Sequence, residues 1–189
     1  ELARILIELG HGDQSIELLK AAEVADCENL EIGLELAEVY VSYGQIADGA
    51  RQYQKIANIY LQRGEQWAAL ECLRRKKVVS PHEIALALQL GRLYVALGRY
   101  SEGEQEFRSI LRHDLNAEEA LLELGRVCQL KGQWRDAILA FNRILTLNPD
   151  EVLARLHLGQ LYQVQGLIEE SVQHFLSAAQ ICLETFRSQ

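Results

Sequence analysis

Methionine is absent from the 189 residues, and proline occurs only twice, at Pro81 and Pro149. Proline is the residue that most firmly breaks a helix, so its scarcity leaves long helical stretches uninterrupted. Cations are also short: 19 Lys and Arg stand against 27 Asp and Glu, for a net charge of −8. That balance disfavours nucleic acid and anionic lipid surfaces, which need clustered Lys and Arg. No apolar run approaches the roughly 18 residues of a membrane span, so no membrane insertion is predicted. The N-terminus shows no basic-then-apolar leader.

Signatures of catalysis are missing too. There is no H-E-x-x-H, no Gly-Lys-Ser/Thr phosphate loop and no G-x-S-x-G elbow. The five His (His11, His82, His113, His157, His174) are scattered without metal-ligand spacing. No catalytic residue, metal site or cofactor is therefore predicted, and the chain reads as not an enzyme. The four Cys (Cys27, Cys72, Cys128, Cys182) form no C-x-x-C and read as small core residues in helices. They favour a reducing compartment and a cytoplasmic location. With no Met, and an amphipathic pattern (Leu2, Ile5, Leu6, Leu9) from the outset, the sequence reads as a segment of a longer protein.

What is present is a ruler. Between Ile84 and Leu183, Gly91, Gly125 and Gly159 stand 34 apart, as do Gly98, Gly132 and Gly166, and Phe107, Phe141 and Phe175. Tyr94 and Tyr162 share a column that Cys128 occupies in the middle copy. A fixed period in this range marks a stacked helical solenoid. Abundant Leu, Ala, Glu, Gln and Arg favour helix, and 49% apolar residues suffice for a long two-layer core. Three regular copies are placed at 84–117, 118–151 and 152–185, each a helix pair with the i, i+3/i+4 spacing of one buried face. Glycine marks the turn within each pair. The two prolines, 68 residues apart, fall between pairs.

Upstream the ruler has one short step, since Gly10, Gly44 and Gly64 continue it but Gly44 and Gly64 are only 20 apart. Residues 1–29 read as a truncated N-terminal repeat. Residues 30–83 read as two overlapping copies, 30–63 and 50–83. Either one long helix over 46–62 serves both copies, or an extra helix is inserted between two arrays. Gly49 and Gly103 stand inside helices, where glycine costs about 0.5–1 kcal/mol relative to alanine, so local softness is expected there. Arg74-Arg75-Lys76-Lys77 is the one basic cluster; it reads as a helix C-terminus decorated with cations rather than an anion site. Glu118-Glu119 and Glu169-Glu170 read as first-turn carboxylates that complement the helix dipole.

The pattern resembles the tetratricopeptide repeat, a helix–turn–helix unit of 34 residues. The copy at 118–151 carries Gly125, Gly132, Ala137, Phe141 and Pro149. Ala37, Tyr40, Gly44 and Tyr53 fit the copy at 30–63, and Ala57, Tyr60, Gly64, Ala69 and Pro81 the copy at 50–83. The aromatic that usually opens the first helix is missing, and Gly49, Gly103 and Ser171 replace the usual alanine. The resemblance implies an all-α, right-handed superhelical solenoid of antiparallel helix pairs, with about 11 helices in one continuous array.

It also implies a non-catalytic protein–protein interaction scaffold that binds a partner peptide or helix in a concave groove lined by first helices. The alternative is a targeting or regulatory segment of a larger multidomain enzyme or of a secretion or assembly machine. By repeat position the groove is lined by Leu34, Leu88, Leu122 and Leu156 in one column and by Glu38, Asn58, Arg92, Arg126 and Gln160 in the next. Leucines beside two arginines suit a partner with hydrophobic anchors and carboxylates; alternatively, the arginines pair with local glutamates such as Glu123. Arg51, Lys55 and Asn58 only echo the carboxylate clamp some relatives use for chaperone C-termini, so chaperone binding is not predicted. The C-terminal helix spreads apolar residues, Phe175, Ile181 and Phe186 among them, over more than one face, which predicts self-association through that end.

Overall fold

The computed structural model describes residues 5–6 and 10–187. Among them there is no strand, and ten helices follow one another: α1 (Gly12–Ala25), α2 (Leu30–Ser42), α3 (Ile46–Gln62), α4 (Gln66–Val79), α5 (Ile84–Ala96), α6 (Tyr100–His113), α7 (Glu118–Leu130), α8 (Trp134–Leu147), α9 (Val152–Val164) and α10 (Ile168–Arg187). Residues 5–6 are also helical, while the rest of the truncated helix expected over residues 1–9 lies outside the described residues. Residues up to Leu86 form one compact unit and those from Ala87 a second.

The turns explain the glycine ladder. Gly44, Gly64, Gly98, Gly132 and Gly166 all have φ between +71° and +78°, a region in which a side chain is strained. Each turn closes with the same pair of hydrogen bonds. At Gly132 the glycine N–H donates to Gln129 O (3.1 Å) and the next N–H, of Gln133, to Cys128 O (2.8 Å). This crossed pair satisfies carbonyls that the helix end would otherwise orphan. The second of these bonds ends on Tyr40, Tyr60, Tyr94, Cys128 and Tyr162 in turn, so the aromatic column of the sequence is also the column of turn acceptors.

In the second unit the core runs through Phe107, Ile110, Leu121, Val127, Phe141, Ile144, Leu158 and Leu161. Phe141 is fully enclosed, and burying such a ring contributes about 1.5–3 kcal/mol. Each ring seats on the glycine column of its paired helix. A Cβ on Gly91, Gly125 or Gly159 would come within 2.4, 2.6 and 2.7 Å of the Phe107, Phe141 and Phe175 rings respectively. A second close approach lies one turn away. A Cβ on Gly103 would stand 3.0 Å from Gly91 O, and in the third copy Ser171 fills the same place and donates its hydroxyl to Gly159 O at 2.8 Å. Gly49 meets Ala37 O and Val41 in the same way. The helix-interior glycines expected to be soft are therefore points of close helix crossing.

In the first unit α3 is a single unbroken helix of 17 residues that packs against α2 on one side and α4 on the other. Ile16, Leu19, Leu36 and Val39 form a core between α1 and α2. Two cysteine assignments need correcting. Cys72 and Cys128 are core residues, and burial pushes each thiol up to about 11. Cys27 lies in a turn after α1 and Cys182 near the end of α10, and both are exposed, since no described helix covers those positions. The basic cluster at the end of α4 is dispersed into pairs: Arg74 with Glu71 at 3.3 Å, Arg75 with Glu38 and Glu71, and Lys76 with Glu83 at 2.8 Å.

Candidate interaction face on the first helices

At about 100° per residue, Leu122, Arg126 and Gln129 share one side of α7, whereas Leu121, Leu124 and Cys128 share another and feed the core. In the second unit the predicted lining residues accordingly share corresponding positions on α5 (Leu88, Arg92), α7 (Leu122, Arg126) and α9 (Leu156, Gln160). The leucines are not equivalent. Leu88 is 9% exposed and belongs to the core, Leu122 is half-buried against it, and Leu156 is 36% exposed. Only the last presents a substantial apolar surface.

The two arginines and two glutamates form one network. Arg92 donates through Nε to Glu123 Oε1 and through Nη2 to Glu119 Oε1, both at 2.7 Å. Arg126 Nη1 reaches Glu123 Oε2 at 3.3 Å. The hydrogen bond to Glu123 first, and that to Glu119 after it, hold the Arg92 guanidinium above its usual pKa against the opposing effect of burial. The pairing with local glutamates anticipated as the alternative is thus present: Arg92 has Nε and Nη2 engaged by two carboxylates, Arg126 has one long contact, and about half of each side chain is exposed.

Beside Arg126 a cavity of about 320 Å³ opens between α7 and α9. Gln129, Gln160 and His157 supply polar groups, and Trp134 and Val164 apolar ones. The His157 ring stacks on Phe141, with centroids 4.9 Å apart and 5° between the planes. Its Nδ1 is enclosed without a hydrogen-bond partner among the described residues. Burial, with Arg126 adding to it, pushes the imidazole pKa below its usual value.

In the first unit, Leu34 is half-buried on α2. Glu38 is exposed and paired with Arg75. Asn58, exposed on α3, accepts from Gln54 Nε2 at 3.0 Å. Gln54 in turn accepts from Lys76 Nζ at 2.9 Å. Glu38 and Asn58 are thus each tied to a side chain of the same unit. Sequence reading missed Glu119, Trp134 and His157. Trp134 carried a signal in its place two residues after the turn glycine. His157 carried none, being one scattered histidine among five.

The model of the tetratricopeptide repeat matches residues 88–133 and 131–182, together about half of the chain. The chain belongs to the tetratricopeptide repeat family. No curated protein matches it. Among solved structures it is similar to MamA, with 20% identity and a TM-score of 0.61 over 99% of this chain and 98% of that one. MamA from Desulfovibrio magneticus RS-1 aligns with 15% identity and a TM-score of 0.58 over 100% and 93%. YrrB, described as a TPR protein with an unusual peptide-binding site, aligns with 16% identity and a TM-score of 0.61 over 88% and 93%. Identities this low carry the fold alone. In tetratricopeptide terms, the face just described belongs to the first helices of three successive repeats. Among the described residues no group of His, Cys, Asp or Glu could hold a metal ion, and no helix is long and apolar enough to cross a membrane.

Proposed function

We propose that the chain is a non-catalytic protein–protein interaction scaffold and that its first-helix face receives a partner peptide or helix. The cavity between α7 and α9 carries this reading. At about 320 Å³ it suits one large side chain, and its lining combines the Arg126 guanidinium with two amides, one imidazole and three apolar side chains, Leu130, Trp134 and Val164. A site of that composition selects by a few placed polar contacts over an apolar base. Leu156 extends the apolar strip outward from it, and Arg126 offers a fork for a carboxylate on the partner. Arg92 plays an indirect part, because its own donors already serve Glu119 and Glu123.

The test is a peptide array probed with the 189-residue chain and with its Arg126→Glu and Leu156→Asp variants. Binders retained by the parent should weaken by roughly tenfold or more in each variant, as truncating an interface anchor does. Unchanged binding in both variants would remove the site from this face.

A further inference from the structure

The other side of α7 carries a second surface that the first-helix reading does not use. Between α6 and α8 the chain leaves a trough whose floor is Leu121 and Leu124 of α7. One part of it, about 600 Å³, is flanked by Arg108, Leu139 and Arg143. A neighbouring part, about 510 Å³, is flanked by Leu111, Arg112 and Leu115 and shares Arg108 and Leu124 with the first. Both lie wholly within the second unit. Leu139 stands 68% exposed in the middle of α8, with Leu115 similarly bare in the loop after α6. A leucine so placed on a second helix serves no packing need of its own repeat, since the interior of α8 is already filled by Ala137, Ala140, Phe141 and Ile144.

The charge of this trough runs against that of the molecule. The chain as a whole carries −8, yet three guanidiniums border the trough against a single carboxylate, Asp136. Arg108 is partly neutralised: it donates to Glu104 at 2.7 Å and lies 3.9 Å from Asp136. Glu104 is itself divided between Arg108 and Lys131. Among the described residues the Arg143 guanidinium donates only to the neutral Asn116 oxygen, at 3.1 Å. No described carboxylate pairs with Arg112. Two arginines thus flank an apolar floor with no described carboxylate paired to either, in a protein rich in acid.

We propose that this trough is a second docking surface, for an acidic amphipathic segment of a partner protein. The apolar residues of the segment lie over Leu121, Leu124 and Leu139. Its carboxylates reach Arg112 on one side and Arg143 on the other, where the guanidinium fork matches them. Helix-in-groove recognition has this form, with anchors at i, i+3/i+4 and i+7 and flanking charges that set the register. The apolar floor and the acidity of the rest of the chain weigh against a nucleic acid, which would want a continuous basic stripe. With partners on opposite sides of α7, the array would bridge two proteins rather than hold one.

The experiment uses the intact 189-residue chain and a set of fluorescent amphipathic peptides of about 18 residues, enough to run the length of α8. All registers of a Leu/Ile face are included, each in versions whose polar positions are Glu, Gln or Lys. Binding is followed by anisotropy for the parent, for Leu139→Asp, for Arg112→Glu/Arg143→Glu, and for Leu156→Asp on the opposite face. At least one Glu peptide should bind roughly tenfold or more tighter than its Gln version, and added salt should weaken it. Leu139→Asp should abolish that binding, the double charge reversal should transfer preference to the Lys version, and Leu156→Asp should leave it intact. The proposal is overturned if no Glu peptide binds, if Glu and Gln versions bind alike, or if the double reversal changes nothing. Loss of binding in Leu156→Asp, or competition by a single-stranded RNA oligonucleotide, would equally overturn it by placing the peptide elsewhere or the trough among nucleic-acid sites.

Discussion

Gly125 and Phe141 meet ring against backbone, and that single contact fixes how closely the two helices of the middle repeat can approach. The would-be Cβ of Gly125 lies 2.6 Å from two carbons of the Phe141 ring, and the ring has no free space into which to retreat. Gly125→Ala gains helix propensity worth about 1 kcal/mol, but overpacking a closed core costs about 1–3 kcal/mol. A net loss of stability is expected, seen as a lower midpoint in urea unfolding; a gain would mean that the ring finds another seat. His157, stacked on the same ring, adds a pH dependence. Burial, and Arg126 after it, hold its pKa below 6.5, and burial, then Arg155, do the same to His174. Between those depressed values and 6.5 the unfolded chain binds more protons than the folded one, so stability is fully present above pH 6.5 and declines as the pH falls below it. The urea midpoint should therefore be lower at pH 5.5 than at 7.5, and the gap should narrow in His157→Phe, which keeps a ring on Phe141 but cannot be protonated.

At the scale of the helix, α4 departs from its siblings at one position. Ile110 and Ile144 fill the inner side of α6 and α8 near their ends, and Ile56 does so in α3. The corresponding residue of α4 is Lys76, which is 7% exposed, with its ammonium on Gln54 and Glu83. Glu83 stands just before α5, so this ion pair ties the end of one helix to the start of the next. Removing the carboxylate in Glu83→Ala leaves a buried ammonium short of a partner and should cost about 1–3 kcal/mol. Lys76→Met replaces the cation with an apolar chain of similar length and should be close to neutral, since a buried pair rarely outperforms an apolar replacement. Thermal unfolding of both variants separates the two outcomes, and equal losses would refute the account. Lys76 also shows where sequence reading stops. In Arg74-Arg75-Lys76-Lys77 it reads as one more solvated cation, because its partners lie 22 residues back and 7 residues on. The turn glycines were legible because their backbone conformation excludes most other residues. The helix read over 46–62 coincides with α3, because apolar spacing and the flanking glycines mark both its ends. Pairing with Glu123 stood in the sequence reading only as an alternative, and that Arg92 is committed to it and to Glu119 depends on contacts 31 and 27 residues away. No local pattern encodes those.

At the scale of the molecule, the helix pairs differ in what covers them. Tyr100 and Leu111 of α6, and Ile138 and Leu145 of α8, are half-buried against the core of the second unit. The equivalent places on α10 are Ile168, Val172 and Ala179, all exposed, and Phe175 is only half-buried where Phe107 and Phe141 are sealed. The helix is also 20 residues long, against 14 for α6 and for α8, and its extra length carries Leu183 and Phe186, the latter 80% exposed. Ile181 is half-buried in the same stretch. An apolar seam of this length in water favours association. Its charges favour an antiparallel pair of two copies, since Glu169 and Glu170 occupy the first turn and Arg187 the last. Sedimentation velocity on the 189-residue chain should show a dimer that grows with concentration up to the order of 100 µM, a range typical of weak association. Val172→Glu and Phe186→Glu should each shift the chain toward monomer, and added salt should weaken the dimer modestly by screening the end pairs. A strict monomer throughout that range would show that the seam has no affinity for itself. Concentration-dependent association that survives both substitutions would place the contact elsewhere on the molecule.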